Sequence, residues 1–370
     1  MYVPHCPNPV CVNFHHPLSD TWYQRCGYHH TIAFGAVQRF KCTACKKTFS
    51  TQTFHIDYYA KKVIDYDILV EHLVTSSGVL DLCRRLGVNS GSIENRFERL
   101  CRCVLAIHSA LLSILPLEED VAADGLESFC FSQYYPNNIN IIVGSQSEFI
   151  YSLGLSVLRR KGRMTESQRI KREALEKRGK ADPKAVERSF FHLFDDLTQR
   201  LARKAVARKT LFTDEHPAYP RAFSRIPSFP RFFLHRTESS KAPRTFLNPL
   251  FPVNYVDRQV RKDNSDHVRE TVKFAKCPSA LMARMSVYRF YHNCLIPRRV
   301  HESRRGNNET HAERAGVPPE MLSLLISNQW MHRCFLQKQD LGIEERTTWL
   351  CGWRNPGVHF GRYIPKYISI

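Results

Sequence analysis

The chain has 370 residues, a length that suits two or three domains around one sizeable core. Hydrophobic residues make up 43% of it, which excludes a mainly disordered protein, and no apolar run approaches the roughly 18 to 20 residues that span a bilayer. Lysine and arginine number 54 against 35 acidic residues, for a formal charge of +19. This excess indicates a phosphate backbone or an acidic membrane surface as partner, and a soluble protein that binds DNA or RNA is the simplest interpretation.

Cys6, Cys11, Cys42 and Cys45 form two close pairs near the N-terminus, separated by a longer stretch. This arrangement predicts one structural Zn²⁺ ion, held tetrahedrally by two short turns. The alternatives are buried free thiols, or disulfides if the protein were secreted. Cys26 is more typical of a turn than of a ligand. The nearby alternative ligands are His5, His15, His16, His29 and His30.

Basic and aromatic residues crowd the second cysteine pair, as expected for a metal-bound turn that touches a polyanion. We therefore predict DNA contacts from Arg39, Lys46 and Lys47. The first five residues lack the cationic and apolar regions of a signal peptide, and the remaining cysteines are scattered. These observations favour a reducing compartment, and we expect a cytoplasmic protein.

Apolar residues at helical spacing predict helices over residues 64–74 and 79–86, and a longer one from residue 93 toward 112. Gly87 stands where the second helix would end. A short helix, a glycine turn and a longer helix are typical of a helix-turn-helix, although an ordinary helical hairpin has the same pattern. The groove-facing end of the longer helix would carry Asn95, Arg96 and Arg99.

Beyond Pro116 the apolar period changes and strands are predicted, with an amphipathic helix after Pro183 between the third and the fourth. Their order of three strands, helix, strand, helix, strand and helix is that of the ribonuclease H-like fold. That fold brings carboxylates from its first strand, its fourth strand and a late helix to one point. The predicted strands cover residues 121–124, 140–144, 149–153, 209–214 and 232–235, and the late helix falls within residues 254–273.

Carboxylates stand at the matching places. Asp124 and Asp214 each end an apolar run, where metal-dependent phosphodiester chemistry needs acids that hold a pair of hard cations. Strand-end aspartates also make turns or helix caps, which is the alternative interpretation. For the third acid we rank Asp257 first, Glu270 second and Glu238 third, and a solvated surface acid is the alternative for each.

Several motifs together resemble bacterial insertion-sequence transposases of the DDE type, which carry an N-terminal zinc ribbon and a helix-turn-helix. The similarity covers nearly all of the chain up to about residue 295 and is weaker beyond. The motifs are VQRFKCTACKKTFS at residues 37–50, DGLESF at 124–129 with SQYYP at 132–136, RRKGRMT at 159–165, TDEHPAY at 213–219, NPLFPVN at 248–254 and HVRET at 267–271.

The resemblance implies that Asp124 and Asp214 are the first two catalytic acids and that Mg²⁺ or Mn²⁺ is the catalytic cofactor. Such transposases often place the third acid three residues after an asparagine on a late helix. Asp257 follows Asn254 at this spacing, but with Asp where Glu is usual, so Glu270 stays the alternative. The resemblance further implies that Arg159, Arg160 and Arg163 hold phosphates, and the alternative is a solvated basic loop.

The implied activity is cleavage at transposon ends, followed by attack of the freed 3′-hydroxyl on target DNA. The implied partners are double-stranded DNA, as terminal inverted repeats and target, and a second copy of the chain at least, with the protein at the bacterial nucleoid. We expect a zinc ribbon at residues 1–55, a helix-turn-helix domain at 56–115, an α/β ribonuclease H-like catalytic domain at 116–295 and a helical or irregular extension at 296–370. A non-catalytic DNA-binding regulator and a plain ribonuclease H-like nuclease are the alternatives.

Overall fold

A computed structural model describes residues 3–17, 19–268, 271, 273–358 and 368–369. Its first part is a three-stranded antiparallel sheet of β1 (Tyr23–Thr31), β2 (Gly35–Cys42) and β3 (Thr48–Ser50), with β2 in the centre. Its small core is aromatic and includes Phe40 and Phe49. The second cysteine pair lies where β2 ends, so the sheet itself fixes one half of the cysteine cluster.

Three helices follow, α1 (Tyr66–Val74), α2 (Val79–Leu86) and α3 (Ser90–Ile114). The predicted second helix is present with its expected ends, and Gly87 terminates it in the left-handed conformation at φ 63°. The long helix begins before the predicted Ile93, because the side chain of Asn89 accepts a hydrogen bond from the backbone N–H of Ser92.

A five-stranded mixed sheet occupies the middle of the chain. Its strands are β4 (Val121–Cys130), β5 (Ser132–Gly144), β6 (Ile150–Val157), β7 (Lys209–Thr213) and β8 (Phe233–Thr237). They lie in the order β6-β5-β4-β7-β8, with the first three antiparallel and with β7 and β8 parallel to β4. The protein is therefore of the mixed α/β class, and β4 and β5 form a hairpin longer than predicted.

The remaining helices surround this sheet. The amphipathic helix expected after Pro183 packs on β5 and β6, and the late helix packs on β4 and β5 but ends at Asp263 rather than continuing to residue 273. The helices are α4 (Glu166–Glu176), α5 (Ala185–Leu201), α6 (Ala218–Phe223), α7 (Phe229–Phe232), α8 (Phe251–Asp263), α9 (Pro278–Phe290), α10 (Val300–Ser303), α11 (His311–Arg314), α12 (Pro319–Ser327) and α13 (Ile343–Trp349).

One continuous apolar core joins helices α1 to α3 with the mixed sheet and α9, so no break in packing marks the expected boundary at residue 115. The C-terminal segment is part of the same body. Trp349 is fully buried, and the Glu344 carboxylate accepts a hydrogen bond from the backbone N–H of Leu155 on β6. Phe335 packs instead into the aromatic core beside the cysteines. Among the described residues, no helix has the length and apolar character needed to cross a membrane.

Candidate functional site

The four predicted cysteines come together. The Sγ atoms of Cys6 and Cys45 are 3.5 Å apart, those of Cys11 and Cys42 are 3.8 Å apart, and all four lie within 4.8 Å of one another. A tetrahedral zinc ion with Zn–S bonds of about 2.3 Å requires S–S separations of about 3.8 Å. The donor set and its spacing therefore fit zinc, and no disulfide joins these cysteines.

Local backbone hydrogen bonds shape both turns of the cluster. The N–H of Cys11 donates to the carbonyl of Asn8, and the N–H of Lys46 donates to the carbonyl of Cys42. Lys46 takes the left-handed conformation at φ 61°, an uncommon position for a residue with a side chain. The backbone N–H of Lys47, which follows this turn, donates to the sulfur of Cys45.

The alternative histidine ligand next to the cluster has another role. His5 is buried among the rings of Phe14, Phe54 and Phe335, and its Nδ1 lies 2.9 Å from the carbonyl oxygen of Cys6. Burial lowers the pKa of His5 to about 4, so it is neutral at physiological pH. The cysteines are the one group in the described part of the chain with ligand atoms this close together.

The basic residues predicted around the cluster are exposed. Arg39, Lys46 and Lys47 all face solvent on the surface of the cysteine-bearing sheet. Lys46 donates a hydrogen bond from Nζ to the carbonyl of Thr43. Long cationic side chains on an exposed surface can generally reach the phosphates of a nucleic acid. These three residues stay predicted DNA contacts.

Two of the predicted contacts on α3 are wrong for this arrangement. Arg96 is buried and its Nε lies 3.0 Å from a carboxylate oxygen of the equally buried Asp57. Arg99 is also buried, donates to the carbonyl of Ile56 and stacks 4.0 Å above the ring of Tyr58. Both guanidinium groups hold the segment before α1 against α3, so neither faces a DNA groove. Asn95 is half-buried and accepts a hydrogen bond from Arg96.

We expect Arg96→Ala to destabilise the protein by about 3–5 kcal/mol, because it leaves the Asp57 carboxylate buried without its ion pair. Arg84→Ala is the matched control, since Arg84 pairs with Asp81 on the exposed surface of α2 and should cost about 1 kcal/mol at most. Urea unfolding monitored by circular dichroism measures both. If the Arg96→Ala protein were as stable as the control, Arg96 would not be held in a buried ion pair, and it would again be a predicted DNA contact.

The two strand acids lie side by side. Strand β4 pairs in parallel with β7 through Val121 opposite Leu211 and Ala122 opposite Phe212. Continuing that register by two residues places Asp124 opposite Asp214, and neighbouring strands of a sheet lie about 5 Å apart. Asp214 follows the last residue of β7, where the strand stops and β4 alone continues. The acids therefore lie at neighbouring positions, Asp124 within β4 and Asp214 directly after β7.

Asp257 belongs to the same electrostatic cluster. Burial and the nearby charge of Asp124 raise the pKa of Asp257 to about 8, against the opposing effect of Arg261 and Arg244. Burial, with the charge of Asp214, also raises the pKa of Asp124 to about 6, although the N–H of Gly125 donates to its carboxylate at 2.7 Å. Buried carboxylates that raise one another's pKa values are frequent at functional sites.

The carboxylate cluster is more open than the cysteine cluster. Asp124, Asp214 and Asp257 do not bring three ligand atoms within 4.8 Å of one another, a spacing that the described residues reach at the cysteines alone. The buried Oδ1 of Asp257 has no hydrogen-bond partner, which is costly unless a cation or a donor satisfies it. Hard oxygen ligands with an unsatisfied buried atom fit Mg²⁺ or Mn²⁺ in kind.

The other candidates for the third acid have weaker placement. Glu238 is half-buried directly after β8, and its backbone N–H donates to the carbonyl of Thr213. It is not among the largest influences on the pKa of Asp124 or Asp257. Glu270 lies outside the described residues. Asp257 is accordingly the third acid that the described geometry favours.

Two residues that the sequence did not single out adjoin the acids. Tyr219 on α6 is buried, and its hydroxyl lies within hydrogen-bonding reach of Asp124; burial and the surrounding carboxylates raise the pKa of this tyrosine. Arg244, in the segment before α8, is exposed, yet its charge lowers the pKa of both Asp124 and Asp257. Neither belongs to a periodic pattern, and only the folded arrangement reveals them.

The predicted phosphate-binding residues are divided among different surroundings. Arg159 is engaged by Glu176 through two hydrogen bonds of 2.7 and 3.0 Å, and Arg163 is exposed. Arg160 lies 5.1 Å above the ring of Tyr134 and lines a cleft of about 780 Å³ between the β4–β5 hairpin and the segment that follows β6. Of these three arginines, Arg159 would have to give up an ion pair to meet a phosphate.

Comparisons with known proteins add no family to these observations. No protein-family model matches the chain, and no curated protein is significantly similar to it in sequence. Fold class and side-chain geometry therefore carry what can be concluded about function.

Proposed function

We propose that this protein is a DNA transposase of the DDE type, which cuts at transposon ends and joins the freed 3′-hydroxyl to target DNA. The observation that carries the proposal is the electrostatic interaction among the carboxylates of Asp124, Asp214 and Asp257. Asp124 lies on the first strand of the mixed sheet, Asp214 directly follows the fourth, and Asp257 lies on a late helix. The sheet order β6-β5-β4-β7-β8 supports a ribonuclease H-like catalytic domain, because that fold places its acids on these elements.

The three acids would hold Mg²⁺ or Mn²⁺, with Asp257 Oδ1 as the unsatisfied ligand atom. Such ions, when bound, activate the attacking oxygen and stabilise the leaving oxygen of a phosphodiester. The chain's own contribution is positioning. Tyr219 orients Asp124, and Arg244 stands where a phosphate approaching the acids would meet a positive charge.

DNA binding is proposed for the cysteine-bearing sheet and the surface of the helical segment. Arg39, Lys46 and Lys47 are exposed beside the zinc-binding cysteines, and Arg84 and Arg85 are exposed on α2. The formal charge of +19 supports a polyanionic partner. Synapsis of two DNA ends would require at least two copies of the chain, and we propose that the active form is a homo-oligomer on DNA.

The experiment that tests the proposal uses DNA cloned from immediately outside the coding sequence, as a linear duplex, with a supercoiled plasmid as target. With Mg²⁺, we expect strand cleavage at one defined end and covalent joining to the plasmid, read on sequencing gels and by sequencing the junctions. Asp214→Asn should abolish both. Glu215→Gln, at the exposed neighbouring acid, is the matched control and should retain both.

Each of the other possible results would indicate a different function. Metal-dependent cleavage without joined product would indicate a ribonuclease H-like nuclease. Specific binding to the flanking DNA, without cleavage in Mg²⁺ or Mn²⁺, would indicate a non-catalytic regulator. Terminal inverted repeats bounded by short direct duplications in the flanking genome would support transposition independently of any biochemistry.

A further inference from the structure

The cleft beside the β4–β5 hairpin has the size of a ligand site. Glu127 and Phe129 of β4 lie on one wall, and the segment 158–162, which follows β6, forms the facing wall. The backbone N–H of Leu158 donates to the carbonyl of Pro136 on β5 at 2.8 Å, which ties the two walls together. The volume of about 780 Å³ falls within the range of about 300–1,000 Å³ that is usual for sites of small organic ligands.

The cleft and the acids lie on opposite faces of the sheet. Successive side chains of a strand alternate between its two faces, so Glu127 and Phe129 point away from the face of Asp124. The cleft is accordingly lined by Glu127 and Phe129 but not by Leu126 or Ser128. Five residues of strand, about 17 Å, separate Asp124 from Phe129. The cleft is therefore a site apart from the carboxylate cluster.

Two aromatic rings contribute to the lining of the cleft. The ring centroids of Phe129 and Phe274 are 6.0 Å apart, the rings are inclined at 67°, and neither residue is fully buried. The next residue fixes the position of Phe274, because the carbonyl of Ala275 accepts hydrogen bonds from the backbone N–H of Phe131 at 2.7 Å and from the thiol of Cys130 at 3.3 Å. A planar base can therefore stack on one ring while the other ring meets its edge.

The facing wall carries cations. Arg160 and Lys161 line the cleft, and the guanidinium of Arg160 lies 5.1 Å above the ring of Tyr134, which also has the Nζ atom of Lys171 at 5.2 Å. Among the residues that the structure describes, no carboxylate is paired with Arg160, Lys161 or Lys171, and the buried Nη1 atom of Arg160 has no hydrogen-bond partner. A bound anion would satisfy this donor and offset the repulsion between two cations on one ring.

Two other charged residues of the cleft are already neutralised. Arg159 forms an ion pair with Glu176 at 2.7 Å, and Asp182 forms an ion pair with Arg188. The cations that a ligand meets on this wall are therefore the two that lack a carboxylate partner. An aromatic surface on one side and such cations on the other suit a molecule that is planar at one end and anionic at the other.

We infer that this cleft binds a purine nucleotide, with the base against Phe129 and Phe274 and the phosphates at Arg160 and Lys161. A purine covers more of the two rings than the smaller pyrimidine does. The same chemistry is presented by a free nucleoside diphosphate and by one unit of a single strand, and the experiment distinguishes these sources. The inference goes beyond the proposed function and does not rest on it, because the cleft lies apart from the acids.

Calorimetric titration of the full chain with ADP, GDP, adenosine and inorganic pyrophosphate tests the site. The buffer contains no Mg²⁺ or Mn²⁺, so the result is independent of the proposed catalysis. We expect ADP or GDP to bind at one site per chain, about tenfold or more tightly than adenosine or pyrophosphate, because only a nucleotide contacts both walls.

Two variants separate the walls. Arg160→Ala removes the cation with the unsatisfied donor, and Phe129→Leu retains an apolar side chain but loses the ring. Each should weaken nucleotide binding about tenfold. Arg169→Ala is the matched control, since Arg169 is an exposed cation of α4 that pairs with Glu166 and does not line the cleft. It should bind nucleotide as the wild-type protein does.

Circular dichroism establishes that the variants are folded, and Arg160→Ala alone decides the test if Phe129→Leu unfolds. The absence of ADP and GDP binding would overturn the inference, as would wild-type affinity in folded Arg160→Ala. A short oligo(dA) identifies the source of the ligand. If it displaces ADP at lower concentration than GDP does, the cleft takes a unit of a single strand, and if it does not, the cleft takes the free nucleotide.

Discussion

Replacing Asp257 by asparagine should reduce metal-dependent DNA cleavage by about 10³-fold or more while making the metal-free protein more stable at alkaline pH. Activity falls because an amide cannot supply the anionic oxygen that a divalent cation requires. Stability rises because burial and the charge of Asp124 raise the pKa of Asp257 to about 8 from an ordinary value of 3.8. The wild-type protein therefore keeps a carboxylate that disfavours folding once it ionises.

The pH dependence follows from this pKa. Between about pH 4 and pH 8 the folded protein retains a proton on Asp257 that the unfolded chain has released, so the free energy of unfolding decreases as pH rises through this window. Asp124, with a pKa of about 6, adds a decrease of the same sign over a narrower range. Asp257→Asn removes the first contribution, and we expect a gain of roughly 2–4 kcal/mol at pH 9 and almost none at pH 4.

Thermal unfolding of wild type, Asp257→Asn and Glu215→Gln from pH 4 to pH 9, with a metal chelator present, measures the effect. The Glu215 control should follow the wild-type curve, because that acid is exposed. Parallel curves for wild type and Asp257→Asn would show that this carboxylate is not held in the buried cluster, and the assignment of the third acid would then pass to Glu270.

Loss of one cysteine of the four-cysteine cluster should have the larger structural effect. We expect the wild-type protein to bind one zinc ion per chain, and Cys42→Ser to bind far less and to unfold the sheet β1–β3, because structural zinc supplies about 10–16 kcal/mol to small domains of this kind. Cys42 is fully buried, ends β2 and lies 3.8 Å from Cys11, so a hydroxyl there leaves the ion without its fourth thiolate. Binding to flanking DNA should fall with it.

Cys26→Ser is the matched control, since Cys26 lies on β1 at the site of a register shift and is not a member of the cluster. Zinc content by atomic absorption and proteolysis of the N-terminal region measure the outcome for both variants. Full zinc content in Cys42→Ser would refute the four-cysteine assignment. Loss of zinc in Cys26→Ser alone would move the ligand to that thiol.

The sequence was most informative where one residue type has one chemical use. Paired cysteines predicted their own convergence, and Gly87 predicted the end of α2, because thiolate ligation and the left-handed conformation admit few alternatives. Position at the end of an apolar run was enough to choose Asp124 and Asp214, although the predicted end of the strand at Asp124 is wrong, because β4 continues to Cys130. Their actual proximity depends on β4 and β7 being neighbours in the sheet, which no local pattern specifies.

Charge was the least informative property of the sequence. Arg96 and Arg99 have the charge and the helical position that are typical of groove contacts. Both side chains are nevertheless buried, Arg96 in an ion pair and Arg99 stacked on a tyrosine ring. Arg244 lies in an irregular segment, and its charge nevertheless lowers the pKa of two of the acids, Asp124 and Asp257. Whether a cationic side chain is buried or exposed depends on contacts with residues that are distant in sequence, and the local sequence does not identify those residues.

The packing of Phe335 has a consequence for biosynthesis. This residue completes the aromatic core beside cysteines that are synthesised long before it, and Trp349, from the same segment, packs under β6. A nascent chain that has not yet reached residue 335 leaves Phe14 and Phe54 uncovered on one side. The N-terminal module thus reaches its final packing only after the segment that carries Phe335 has been synthesised, and a product truncated before this segment would expose aromatic surface beside the cysteines.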